Sequence, residues 1–134
     1  MTTPVPHAPA ILVVDDDRDS ADVLRTMLAA RGYTVTLAHD GDDALRAFEE
    51  LRPQLVLLDV RMPGRSGWEV CRMMKQHPEH GDRVRIIMLT ALDGWTDKQE
   101  ALRTGADDYV TKPVDLCDLG QRVERNLALL EAAS

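Results

Sequence analysis

Short apolar runs that end abruptly in polar residues constrain this chain more than any other feature. Ala10 to Val14 (AILVV) stops at Asp15, Asp16 and Asp17, and Leu55 to Leu58 (LVLL) stops at Asp59. Val84 to Leu89 (VRIIML) stops at Thr90, and a shorter run, Tyr109 with Val110, is closely followed by Lys112. Runs of this length with little alternation read as strands buried on both faces, the condition of a parallel sheet covered by helices.

The intervening segments have the helical period that such a sheet needs. From Asp19 to Arg31, Val23, Leu24, Met27 and Leu28 recur at helical spacing, with Gly32 as the stop. Tyr33 to Leu37 alternates as a strand. Asp40 can cap a helix carrying Ala44, Leu45, Phe48 and Leu51, which Pro53 breaks. After a Pro/Gly-rich loop, Met62 to Gly67, Ser66 and Glu69 form a capping box. Thr96 and Gln99 form another, before a helix that stops at Gly105, and a last helix runs from about Asp115 toward Leu130. Five strands alternating with five helices predict an α/β, doubly wound parallel sheet with helices on both faces.

Composition narrows the function classes. The 134 residues suit one domain, with residues 1–8 read as a flexible leader and 9–132 as the folded unit. A net charge of -7 and only five aromatic residues argue against a phosphate-gripping or base-stacking surface, so no direct nucleic-acid contact is expected. No apolar run reaches the roughly 20 residues that cross a bilayer, and MTTPVPHAPA lacks the basic and apolar regions of a signal peptide. The expected compartment is the cytoplasm, with no membrane partner. Cys71 and Cys117 have no metal spacing and read as buried thiols. His77 and His80, in an H-P-E-H stretch, read as an exposed loop rather than metal ligands, Trp68 and Trp95 as packing residues, and Asp17 as solvated.

In an open parallel sheet, ligands bind beyond the carboxyl ends of the strands. There the sequence gathers Asp15, Asp16, Asp59, Thr90 and Lys112. Two carboxylates held 4 Å apart repel by roughly 4 kcal/mol at an effective dielectric of 20, so the cluster calls for compensation by a hard divalent cation. Mg²⁺ takes one or two carboxylates and keeps sites free for a phosphoryl oxygen. With Lys112 and Thr90 close by, the set suits phosphoryl transfer, and Asp59, at the end of a rigid strand, is the natural nucleophile.

VVDDD at Val13 to Asp17, LLDVRMPGRSG at Leu57 to Gly67, LTA at Leu89 to Ala91 and GADDYVTKP at Gly105 to Pro113 together resemble the receiver domain of bacterial two-component response regulators. The resemblance spans nearly the whole chain. It implies a flavodoxin-like sheet of order 2-1-3-4-5, and a phosphorylation switch in which Asp59 becomes an aspartyl phosphate at the expense of a histidine kinase or histidine phosphotransfer protein. By position, Mg²⁺ (or Mn²⁺) would be held by the Asp16 and Asp59 side chains, the Arg61 backbone carbonyl and, through a water, Asp15. Thr90, Ala91 and Lys112 would hold the phosphoryl group, and Lys112-Pro113 would be cis. Tyr109 matches the family's switch aromatic, moving with Thr90, although it reads equally as a plain half-exposed strand residue. Val114 stands where Phe is common, which implies different packing in that loop. Arg61 and Leu92 occupy positions that tune phosphate lifetime.

A stand-alone receiver would act through an unidentified downstream protein, without an output domain of its own. Val123, Leu127 and Leu130 could pair two copies or simply cover the sheet, so a monomer or weak dimer is expected. The alternatives are a phosphate-independent interaction module and a small Mg²⁺-dependent phosphohydrolase. The latter is disfavoured by Arg61 where a second acid/base carboxylate would stand and by the lack of a cap insertion.

Overall fold

In the computed structural model, residues 8–91, 99 and 103–133 are described. Five strands, β1 (Ala10–Val14), β2 (Thr34–Ala38), β3 (Leu55–Asp59), β4 (Arg85–Thr90) and β5 (Asp108–Thr111), form one sheet of order β2-β1-β3-β4-β5. Every pairing is parallel. The helices are α1 (Arg18–Ala30), α2 (Gly41–Leu51), α3 (Gly67–Lys75) and α4 (Leu116–Ala133), with a short 3₁₀ turn at Gly81–Arg83. The leader expected over 1–8 lies outside the described residues except Ala8. So do Leu92, Trp95, Thr96 and most of the helix expected before Gly105, of which Gln99, Arg103 and Thr104 are helical.

The two-residue period of the strands sorts the core into two layers. Leu12, Val14, Val56, Leu58, Ile86 and Met88 face Ala44 and Phe48 of α2 and Val70, Cys71 and Met74 of α3. Their neighbours Ile11, Val13, Leu55, Leu57, Ile87 and Leu89 face Leu24 and Leu28 of α1 and Leu119 and Val123 of α4. Val123 and Leu127 therefore help to cover the sheet, and Trp68 packs at the edge of the first layer.

Helix ends follow local chemistry. The Asp40 side chain accepts from the Asp43 amide at 2.8 Å, and that of Ser66 from the Glu69 amide at 3.3 Å. Asp17, read as solvated, is exposed and is also the N-cap of α1, accepting from the amides of Asp19 at 3.0 Å and Ser20 at 3.4 Å. The missed signal was its place immediately before the periodic run.

Two further expectations need correction. Cys71 is buried, but Cys117 is exposed, because α4 buries Leu119, Gly120, Val123 and Asn126 and Cys117 falls off that stripe. His80 is buried rather than exposed, with Nε2 at 3.0 Å from the Pro53 carbonyl. His77 Nδ1 accepts from the amides of Glu79 and His80, which places its proton on Nε2, 2.7 Å from Glu49. Both rings meet Phe48 edge-on, so the two histidines are packing and turn-closing residues.

At the β5 edge a polar network joins four elements. Asp107 accepts from Lys75 Nζ at 3.0 Å and from the Ile86 amide at 2.8 Å. The Asn126 carboxamide oxygen accepts twice from Arg85, at 3.1 and 3.0 Å, while its nitrogen donates to Asp108 and to the Arg122 carbonyl. Arg122 in turn binds Asp108 at 2.8 Å and Asp118 at 2.9 Å.

Candidate functional site at the carboxyl end of the sheet

The parallel register brings the polar strand ends together. Asp59 and Thr90 are the last residues of β3 and β4, and both are buried. Asp15 follows β1 and is fully buried, while Asp16 beside it is exposed. Carboxylate oxygens of Asp15, Asp16 and Asp59, one from each, lie within 4.8 Å of one another. Lys112 arrives from beyond β5, across a cis Lys112-Pro113 bond. Its amide donates to the Thr90 carbonyl at 2.7 Å, and its ammonium lies 2.9 Å from Asp59 Oδ2 and 3.8 Å from Asp15 Oδ2.

The Asp59 carboxylate is oriented from both sides. Oδ2 accepts from Lys112 and Oδ1 accepts from the Arg61 amide at 3.0 Å. Asp15 is clamped on one oxygen only: Oδ1 accepts from the Asp17 amide at 3.0 Å, and Oδ2 has no hydrogen-bond partner among the described residues. Burial, assisted by the Asp59 charge, pushes the Asp15 carboxyl up to about 6, against the lowering pull of the Asp17 amide and of Lys112. For Lys112, burial opposes the charge, but the hydrogen bond and charge of Asp59 with the charges of Asp15 and Asp16 outweigh it and raise the pKa.

This arrangement fits a hard divalent cation. Its donors are all carboxylate oxygens, one of them buried and unsatisfied, and among the described residues the one ammonium at the cluster, that of Lys112, does not balance three carboxylates. Asp15, Asp16 and Asp59 could hold it.

Sequence reasoning gave no role to Gly67. A Cβ there would collide with the Asp59 carbonyl oxygen, so only glycine lets the start of α3 pack against the end of β3. The Gly67 amide donates to the Val60 carbonyl at 2.9 Å, which closes the loop that carries Arg61. Ala91 is exposed beside Thr90. Tyr109 is half-buried, packs at the edge of the α2/α3 layer, and lines a cavity of about 280 Å³ with Arg122 and Asp118. Val114 packs against the α1/α4 layer and borders a cleft of about 410 Å³ between α1 and the start of α4, reaching Asp15 and Lys112.

A five-stranded doubly wound sheet with a carboxylate cluster and a lysine at its carboxyl end defines the class of protein. Residues 11–124 match the response regulator receiver domain, and the chain belongs to that family of two-component signalling domains. Solved structures agree. A CheY-like receiver domain protein from Methanospirillum hungatei is 29% identical over 95% of this chain and 99% of its own, with a TM-score of 0.86. The receiver domain of a signal transduction histidine kinase from Syntrophus aciditrophicus is 35% identical over 90% and 91%, with a TM-score of 0.83. The response regulator DrrB of Thermotoga maritima, an OmpR/PhoB homolog, is 35% identical over 90% of this chain but 53% of its own, with a TM-score of 0.82.

Among the described residues no helix is long and apolar enough to cross a membrane.

Proposed function

We propose that this receiver domain, spanning residues 9–132 behind a short leader, is a cytoplasmic phosphorylation switch. Asp59 would accept a phosphoryl group from a histidine kinase or histidine phosphotransfer protein. The observation that carries this reading is the Asp59 carboxylate, held by Lys112 at 2.9 Å and the Arg61 amide at 3.0 Å beside the unpartnered Asp15 Oδ2.

An Asp59 oxygen forms a bond to phosphorus as the P–N bond of the donor phosphohistidine breaks. The leaving nitrogen keeps the electron pair, and a proton on the ring's far nitrogen lets the imidazole depart neutral. Lys112 neutralises the oxygens of the transferred group, and Thr90 with the backbone at Ala91 supplies further donors. Asp15, Asp16, Asp59 and the Arg61 carbonyl would hold Mg²⁺ or Mn²⁺, which when bound supplies charge neutralisation for carboxylates and phosphoryl oxygens together. Once Asp59 is phosphorylated, Thr90 and Lys112 shift toward the new charge and Tyr109 turns inward, changing the surface of β5 and α4 that a downstream protein reads. Moving the active fraction from about 1% to about 99% requires roughly 5.5 kcal/mol of preference for that state.

The test is intact-mass measurement after incubation with Mg²⁺ and acetyl phosphate, for wild type and Asp59→Asn. The expected result is a Mg²⁺-dependent, base-labile gain of one phosphoryl group in wild type alone. No gain in wild type, or an equal gain in Asp59→Asn, overturns the assignment.

A further inference from the structure

The β1–β2 ladder ends at the pair Val14 and Ala38, and the Asp15 amide adds one last rung to the Ala38 carbonyl at 3.1 Å. Beyond this point β2 turns away into the N-cap of α2, so no backbone amide of β2 continues the ladder to the Asp15 carbonyl. The side chain of His39 takes that place, with Nδ1 at 3.1 Å from the Asp15 carbonyl oxygen. A carbonyl oxygen only accepts, so the ring carries its proton on Nδ1 and donates. Asp15 is thus held at its amide by Ala38, at its carbonyl by His39 and at Oδ1 by the Asp17 amide, and Oδ2 alone remains for the carboxylate cluster. Of the three holding groups, the His39 imidazole is the one side chain.

We propose that His39 is a positioning residue for the cation site, an inference that rests on the phosphoacceptor reading above. By anchoring the Asp15 carbonyl it sets the peptide planes of the turn from β1 into α1, and so the direction in which Asp15 Oδ2 meets Asp16 and Asp59. Without the donor, the carbonyl turns toward solvent to find water, and the carboxylate turns with it. Asparagine places an amide nitrogen where the imidazole has Nδ1, whereas leucine fills similar space without a donor.

The experiment is Mn²⁺ titration of the full chain, followed by electron paramagnetic resonance, for wild type, His39→Leu and His39→Asn, with metal-free thermal unfolding of each. Leucine is expected to weaken Mn²⁺ binding about tenfold and asparagine to restore it to within about twofold, since partners that orient ligands carry effects of this size. Unchanged Mn²⁺ affinity in His39→Leu, with only a lower unfolding temperature, would make the contact purely structural and overturn the inference. A loss that asparagine fails to restore would overturn the hydrogen-bond role. Absence of saturable binding in wild type would instead bring down the cation reading itself, and the role of His39 with it.

Discussion

Two charge-rich regions of this domain lie at different edges of one sheet and are built on opposite terms. At the β5 edge, Lys75, Asp107, Arg85, Asp108, Arg122 and Asp118 each have a partner of opposite sign, and the Asn126 side chain uses both its oxygen and its nitrogen. At the carboxyl edge, three carboxylates share Lys112, and Asp15 Oδ2 is the one buried side-chain oxygen or nitrogen among the described residues without a hydrogen bond. A closed network specifies how elements join, whereas an open one reserves its binding capacity for something that arrives later.

This contrast predicts different responses to mutation. Asp59→Asn has the largest effect, complete loss of phosphoryl uptake from acetyl phosphate by intact mass, with the fold retained by circular dichroism. Asn126→Leu breaks the closed network by leaving Arg85 Nε and Nη2 and one Asp108 oxygen without a partner, although Arg85 keeps its contact with Asp107. It should cost about 2–3 kcal/mol in urea unfolding while leaving phosphoryl uptake by the folded protein intact.

Asp15→Asn should do the reverse and stabilise the metal-free protein, by about 1–2 kcal/mol at pH 7.5. The sign follows from the raised pKa: between the ordinary 3.8 and about 6 the folded state holds this proton more tightly than the unfolded chain, so stability declines as pH rises through that window. The advantage of Asn is therefore full above pH 6 and fades toward pH 4. Saturating Mg²⁺ should narrow it by stabilising wild type more than the variant. Thermal unfolding at the two pH values, with and without Mg²⁺, checks all three statements.

The smallest effect concerns the thiols. Burial pushes Cys71 up to about 11, so iodoacetamide at pH 8 should label Cys117 and spare Cys71 until the protein unfolds. Peptide mapping reads the difference directly.

The open region was the more legible in the sequence. Apolar runs ending in Asp15, Asp59 and Thr90 reveal strand and site together, because parallel register places strand ends side by side whatever the loops do. Strand order and cis Lys112-Pro113 were legible only through the resemblance of the motifs to a family. The closed network was not legible at all. Arg85, Asp107, Asp108, Arg122 and Asn126 are ordinary polar residues far apart in the chain, and only the packing of α4 across β4 and β5 brings them together. His39 escaped notice for a related reason: its partner is a backbone carbonyl, which leaves no pattern in the sequence. Cys117 and His80 were misjudged because residue type alone does not say which face of α4 or which side of Phe48 a side chain meets.

Calorimetric titration with Mg²⁺ tests the contrast between the two regions most directly, in wild type, in Asp15→Asn from the open region and in Asp107→Asn from the closed one. One-site saturable binding in wild type and Asp107→Asn, strongly weakened in Asp15→Asn, is the predicted result. Equal binding in all three proteins, or none in wild type, would contradict the claim that the unsatisfied carboxylates are held open for a cation.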